Sequence, residues 1–125
     1  MPIVLIVEDE FAIADLLEMA LTDEGYDVRH AANGRQGLER LAAGPCPDLV
    51  ITDYMMPILD GAGLLKAMRD TEAQRDIPCI VMSSIPEANV RERITGYAAF
   101  VRKPFQLAAV VQLVARVLSA SRSET

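Results

Sequence analysis

At 125 residues the chain is long enough for one domain with a real core and too short for a second globular unit. Its apolar fraction is 51%, with three Phe, three Tyr and no Trp, so aliphatic side chains and Met must fill that core. A formal net charge of -6 opposes direct nucleic-acid binding, which needs a basic face to displace counterions, and points to a protein partner or a small anion held locally.

The first strand is predicted over Ile3 to Val7 and runs into Glu8, Asp9 and Glu10. This apolar run has no basic leader or small-residue cleavage site and is stopped by acids far short of a membrane span. A cytoplasmic protein without membrane contact is therefore expected. From Phe11 the pattern turns helical, with Ile13, Leu16, Leu17, Ala20 and Leu21 on the buried face and Gly25 as the stop. Tyr26 to Ala32 reads as a second, more polar strand at a sheet edge. Asn33-Gly34 opens a short helix with Leu38 and Leu41 inside, ended by Gly44-Pro45.

Asp48 to Asp53 is a continuous apolar run ending in a carboxylate, the pattern of a strand buried on both faces of a parallel sheet. Pro57 and Asp60-Gly61 force a turn before a third helix that reaches about Asp70. Ile77 to Met82 is a fourth buried strand that delivers Ser83 and Ser84 to the same sheet edge as Asp53. Glu87 to Ile94 is a weakly periodic fourth helix closed by Gly96, and Ala98 to Arg102 a short fifth strand. Lys103-Pro104-Phe105 breaks it before a last helix from about Gln106 to Ser119. Strand and helix alternating five times specify an α/β fold, a parallel sheet with helices on both faces. One domain over residues 1–120 and a short polar tail over 121–125 are expected. Cys46 and Cys79 are too few and too far apart for a metal knuckle, and read as reduced thiols, Cys79 in the core.

Glu8, Asp9, Asp53, Ser83 and Lys103 then all fall at C-terminal strand ends, where open α/β sheets bind ligands. Carboxylates brought together repel, which raises the proton affinity of at least one unless a cation sits among them. A hard divalent ion with oxygen ligands, Mg²⁺ foremost, relieves that repulsion. Lys103 adds a point charge for a phosphoryl oxygen and Ser83 a hydroxyl donor, and the set makes a phosphoryl-transfer site. Each residue also has a bland reading: turn or helix cap for Asp53, cap of the first helix for the Glu8-Asp9-Glu10 run, local backbone partner for Ser83, surface break for Lys103-Pro104. Their convergence on one sheet edge favours the chemical reading.

Val7-Glu8-Asp9, Asp53-Tyr54-Met55-Met56-Pro57 through Asp60-Gly61, Ser83, Gly96 to Phe100 and Lys103-Pro104-Phe105, in this order and spacing, resemble a receiver domain of two-component response regulators. The resemblance covers essentially the whole chain. It implies a flavodoxin-like (βα)5 three-layer sandwich with strand order 2-1-3-4-5. It further implies that Asp53 accepts a phosphoryl group from a phosphohistidine of a sensor histidine kinase or phosphotransfer protein. Glu8, Asp9, Asp53 and the backbone carbonyl of Met55 would hold Mg²⁺, and Lys103 would bind a phosphoryl oxygen. Ser83 and Phe100 would switch a face made of the fourth helix, fifth strand and last helix, read by a downstream output protein.

The sequence departs from the family pattern in places. Ser84 stands where Ala is usual, and the stretch from Ser83 to Gly96 is slightly short, with Pro86 at its start, so an irregular fourth helix is expected. Met55 and Ile85 are apolar where the family tunes autodephosphorylation, which implies a long-lived aspartyl phosphate. In the last helix Leu107, Val110, Val114 and Leu118 face the core, while Leu113 and Ala109 lie beyond the buried stripe and suit a homodimer contact as well as deeper cover. The primary reading is a single-domain signalling switch that catalyses only its own phosphorylation and slow dephosphorylation. A receiver cut from a longer regulator with a DNA-binding or enzymatic output domain is the alternative, followed by a degenerate receiver acting as a scaffold. A haloacid-dehalogenase-type phosphatase would need a second Asp where Met55 stands.

Overall fold

The computed structural model describes residues 1–123, with side chains through residue 121. Its strands are β1 (Ile3–Val7), β2 (Asp27–Ala31), β3 (Leu49–Asp53), β4 (Cys79–Ser83) and β5 (Ala99–Arg102). They alternate with helices α1 (Phe11–Asp23), α2 (Gly34–Ala43), α3 (Gly61–Asp70), α4 (Glu87–Arg91) and α5 (Leu107–Ser123). All strand pairs are parallel, in the order β2-β1-β3-β4-β5. This is the flavodoxin-like (βα)5 architecture with the 2-1-3-4-5 strand order expected from the sequence.

Strand alternation divides the core in two. Val4, Ile6, Leu49, Ile51, Ile80 and Met82 point to the layer formed by α1 and α5. Leu5, Val7, Val50, Cys79 and Val81 point the other way, with Leu41, Leu64, Met68 and Val90 of α2, α3 and α4. β3 and β4 are buried at every position, as their unbroken apolar runs require, whereas β2 is polar and only partly buried at the sheet edge. Burial pushes the Cys79 thiol up to about 12, so it packs as an inert apolar group.

Beyond one-residue trims at the ends of β2, β3 and β5, the boundaries of β4, α4 and α5 differ from the sequence expectation. β4 begins at Cys79 because Pro78 has no N–H for the ladder, and it includes Ser83. Helix α4 keeps only five residues, shorter than the expected Glu87 to Ile94. Helix α5 continues through Ser123, past the expected end at Ser119, because no Gly or Pro interrupts it and Leu118 remains buried. The polar tail expected at 121–125 therefore begins as helix, and its last two positions lie outside the described residues.

On α1 the buried residues are Ala14, Leu17 and Leu21, and Leu16 is 52% exposed, against expectation. The stripe that meets the sheet therefore runs through Ala14, Leu17 and Leu21 and leaves Leu16 outside. On α5, Val110, Val114 and Leu118 are buried and Leu107 partly so; Leu113 is half-buried and Ala109 exposed. No helix of the described residues is long and apolar enough to cross a membrane.

Candidate functional site

Register brings the predicted residues together. Val7 lies opposite Thr52, so Glu8 stands level with Asp53; Asp53 lies opposite Met82, and Ser83 opposite Arg102, one residue before Lys103. Ladder bonds run past the strand ends and fix these positions: Glu8 N–H donates to Ala31 O at 3.0 Å, Tyr54 N–H to Met82 O at 2.8 Å and Lys103 N–H to Ser83 O at 2.8 Å. Alternation then sorts the side chains. Glu8, Asp53 and Lys103 have the parity of Ile6, Ile51 and Val101, on the α1/α5 side, whereas Ser83 shares the opposite face with Val81 and Phe100.

Lys103 is the centre of the cluster. Its ammonium donates to Glu8 Oε1 at 2.7 Å and to Asp53 Oδ2 at 3.1 Å. The three side chains are nearly enclosed, at 13%, 0% and 9% exposure respectively. Carboxylate oxygens of Glu8, Asp9 and Asp53 lie within 4.8 Å of one another. All are hard oxygen donors, the donor chemistry that suits Mg²⁺. Nothing softer is present among the three.

The cost of this arrangement falls on Glu8. Burial pushes its carboxyl up to about 7, the Asp53 charge adds to the rise, and the hydrogen bond from Lys103 only partly offsets it. Burial alone would lower the Lys103 ammonium, but the bond to Glu8 and the charge of Asp53 outweigh it and leave it raised. A carboxyl raised from 4.5 to about 7 favours the folded state below 4.5, and that contribution is lost as pH rises toward 7. The metal-free protein is therefore expected to lose stability between those values, and Glu8→Gln to flatten the profile. A divalent ion needs the deprotonated carboxylate, so calorimetry in buffers of different ionisation heat should find about one proton released per Mg²⁺ at pH 6 and about none at pH 8.

The loop after Asp53 is built around close backbone contacts. Gly61 N–H donates to Tyr54 O at 2.9 Å, and a Cβ at Gly61 would come within 2.6 Å of Asp53 O, so only glycine lets α3 begin there. Asp60 caps α3 by accepting from Gly63 N–H at 2.9 Å. Met55, expected to offer its carbonyl, is an exposed side chain in this loop.

The cap reading of the acidic run holds by position only: Glu10 is the N-cap of α1 without a side-chain capping bond, while Glu8 Oε2 accepts from Glu10 N–H at 3.2 Å. The local reading of Ser83 holds in part, since Oγ accepts from Ile85 N–H at 2.9 Å. That bond uses a lone pair and leaves the hydroxyl proton to be donated elsewhere. Phe100 is half-buried against the α2/α3/α4 core layer, with its ring 6.4 Å from Tyr97. Ser84 is exposed and lines an apolar groove of about 350 Å³ with Ile13, Leu16, Lys103, Pro104, Phe105 and Leu107. Sequence reasoning missed His30, whose Nε2 lies 2.9 Å from Glu8 O, and Arg93, whose guanidinium lies 5.6 Å from the Tyr54 ring centre.

The family model described as the response regulator receiver domain matches residues 4–115. This chain belongs to the response regulator receiver family. It is 34% identical over 121 residues to the DNA-binding dual master transcriptional regulator RpaA of Synechocystis, covering 94% of this chain and 48% of that protein. The chain spans about half the length of the curated relatives it matches. Among solved structures it resembles the receiver domain of a signal transduction histidine kinase from Syntrophus aciditrophicus, with TM-score 0.87 and 34% identity over 96% of this chain and 92% of that one. The receiver domain of the sensor histidine kinase PA1611 of Pseudomonas aeruginosa matches with TM-score 0.85 and 27% identity, over 94% of this chain and 98% of that one. That structure has a magnesium ion coordinated in its active site cleft.

Proposed function

We propose that this receiver accepts a phosphoryl group on Asp53 from a phosphohistidine of a sensor histidine kinase or phosphotransfer protein. The observation that carries the reading is Lys103 bridging Asp53 and Glu8 inside an all-oxygen cluster. An Asp53 carboxylate oxygen attacks phosphorus in line; the new O–P bond forms as the P–N bond to the donor imidazole breaks, and the imidazole leaves with that electron pair. Glu8, Asp9, Asp53 and the Met55 carbonyl would hold Mg²⁺, which would neutralise charge on the phosphoryl oxygens when bound. Lys103 is already within hydrogen-bond distance of Asp53, where it can pass to a phosphoryl oxygen.

The apolar groove between α1 and the start of α5 opens beside Lys103 and suits an apolar helix of the donor. Ser83 and Phe100 share one sheet face, so a Ser83 hydroxyl drawn to the phosphoryl group vacates space on the side where Phe100 packs. The α4-β5-α5 surface would then report the change to an output protein. The site chemistry does not depend on whether that output lies on the same chain or a separate one.

Incubation with acetyl phosphate and Mg²⁺ tests the reading. Intact mass should rise by one phosphoryl group, be lost on chelation, yield to hydroxylamine as an acyl phosphate does, and map to the peptide holding Asp53. A hydroxylamine-stable or Mg²⁺-independent modification would overturn it. Because apolar Met55 and Ile85 cannot orient a water, the acyl phosphate should persist for minutes or longer after donor removal; decay within seconds in the same assay would contradict this.

A further inference from the structure

Arg93 lies outside the cluster just described, in the segment after α4, yet its guanidinium meets both ends of the loop that follows Asp53. It sits 5.6 Å from the centre of the Tyr54 ring, and its Nη2 is 3.6 Å from Asp60 Oδ2. Tyr54 is the residue next to the acceptor, its N–H bonded to β4 through Met82 and its carbonyl to the first residue of α3. Asp60 is the N-cap of α3. One cation thus touches the two residues between which the chain must carry Met55 past Asp53.

The loop needs outside support. Ile58 has φ 72, in the left-handed region that a β-branched residue adopts only where its surroundings over-determine it. From the α2 side, Gly34 N–H donates to Leu59 O at 3.1 Å. From the α4 side, the support is Arg93. We propose that Arg93 is a positioning residue for the acceptor site: it clamps Tyr54 and Asp60 and so sets the 54–60 loop, and with it the Met55 carbonyl, relative to Asp53. This rests on the acceptor reading of Asp53 given above.

The geometry separates this role from a general contribution to stability. The Arg93 side chain is 60% exposed, and an exposed ion pair contributes little to folding. A guanidinium over an aromatic face, however, has a defined orientation and holds Tyr54 where it packs. The clamp is also a coupling element. Helix α4 is only five residues long, so the 92–96 segment that bears Arg93 is irregular, and a shift of α4 pulls on the acceptor loop. By reciprocity, whatever tightens the loop at Asp53 restrains that segment.

Arg93→Ala and Arg93→Lys, compared with the wild-type chain, test the clamp by three measurements. Amide exchange of residues 55–60 in metal-free protein should quicken by about fivefold in Arg93→Ala, and Mg²⁺ affinity by calorimetry should weaken by a similar factor, the sizes set by a lost ion pair plus cation–π contact. The melting temperature should fall by no more than about 4 °C, since the same two contacts are lost from the folded state. Arg93→Lys keeps the charge beside Asp60 and should recover part of both losses. Unchanged exchange and Mg²⁺ affinity in Arg93→Ala would overturn the proposal, as would faster exchange spread evenly over the strands and helices instead of confined to residues 55–60. Acetyl phosphate uptake by the wild type, run alongside, separates the two ideas: no uptake counts against the acceptor reading, whereas the metal-free exchange reads the clamp by itself.

Discussion

Asp53→Asn is expected to abolish phosphoryl uptake from acetyl phosphate and, in the same protein, to raise the stability of the metal-free fold. The first effect follows from the loss of the nucleophile, since an amide oxygen cannot form the acyl phosphate. The second follows from electrostatics. Asp53 is one of three carboxylates with oxygens within 4.8 Å of one another, and its charge helps to push Glu8 up to about 7. The amide keeps the shape and removes the charge, so Glu8 can ionise more readily and retains Lys103 at 2.7 Å as its partner. At pH 8 the gain should be about 1 kcal/mol, read as a rise in melting temperature of about 4 °C for a domain of this size. Mg²⁺ should bind more weakly, because one of the charged donors is gone. A variant that loses reactivity while gaining stability is the signature of a site strained for its chemistry. Equal uptake in Asp53→Asn and wild type would place the acceptor elsewhere, and a lower melting temperature would mean that the Lys103 to Asp53 pair outweighs the repulsion.

The same physics explains what could be read from the sequence. β3 and β4 were legible because a strand buried on both faces reads as a near-continuous apolar run, and both are buried at every position with polar residues only toward their C-terminal ends. The convergence of Glu8, Asp53, Ser83 and Lys103 was legible because each ends or follows a strand, and parallel strands put their C-terminal ends at one edge. The face of α1 was not. Ile13, Leu16, Leu17, Ala20 and Leu21 span more of the helix than the sheet can cover, and the buried part is centred on Ala14, Leu17 and Leu21. The end of α5 was missed for another reason: Ser119, Ser121 and Ser123 look like a tail by composition, but composition does not end a helix without a stop signal. Within the site, position was readable and pairing was not. That Lys103 bridges two carboxylates from two other strands, and that Arg93 reaches Tyr54 from 39 positions away in sequence, are facts of side-chain reach that no periodicity encodes.

Lys103→Ala removes the only cation that hydrogen-bonds the cluster among the described residues, and its expected effects on folding, metal binding and chemistry differ in sign. Glu8 is fully enclosed, and Asp53 nearly so; without Lys103 they lose their shared cation, and Glu8, whose carboxyl the ammonium lowers, must either take up a proton or stay charged in a buried site. Breaking a buried pair by deleting one member costs about 3–5 kcal/mol, so the metal-free variant should melt well below the wild type at pH 8. The loss should shrink toward pH 5, because Glu8, already raised to about 7 by burial, then carries a proton and no longer needs the ammonium. For Mg²⁺ the sign reverses. Lys103 occupies oxygens of Glu8 and Asp53 and repels a divalent ion, so its removal should tighten Mg²⁺ binding and let the metal restore much of the lost stability. Phosphoryl transfer should nevertheless slow by about 10²–10³-fold at saturating Mg²⁺, the usual effect of removing one preorganised charge aimed at the transferring group. Melting curves at pH 5 and 8, with and without Mg²⁺, and single-turnover labelling with acetyl phosphate measure all three. Weaker Mg²⁺ binding in Lys103→Ala would mean that Lys103 orders the carboxylates for the metal rather than competing with it. An unchanged labelling rate would remove Lys103 from the transfer step and leave it a structural partner of Glu8.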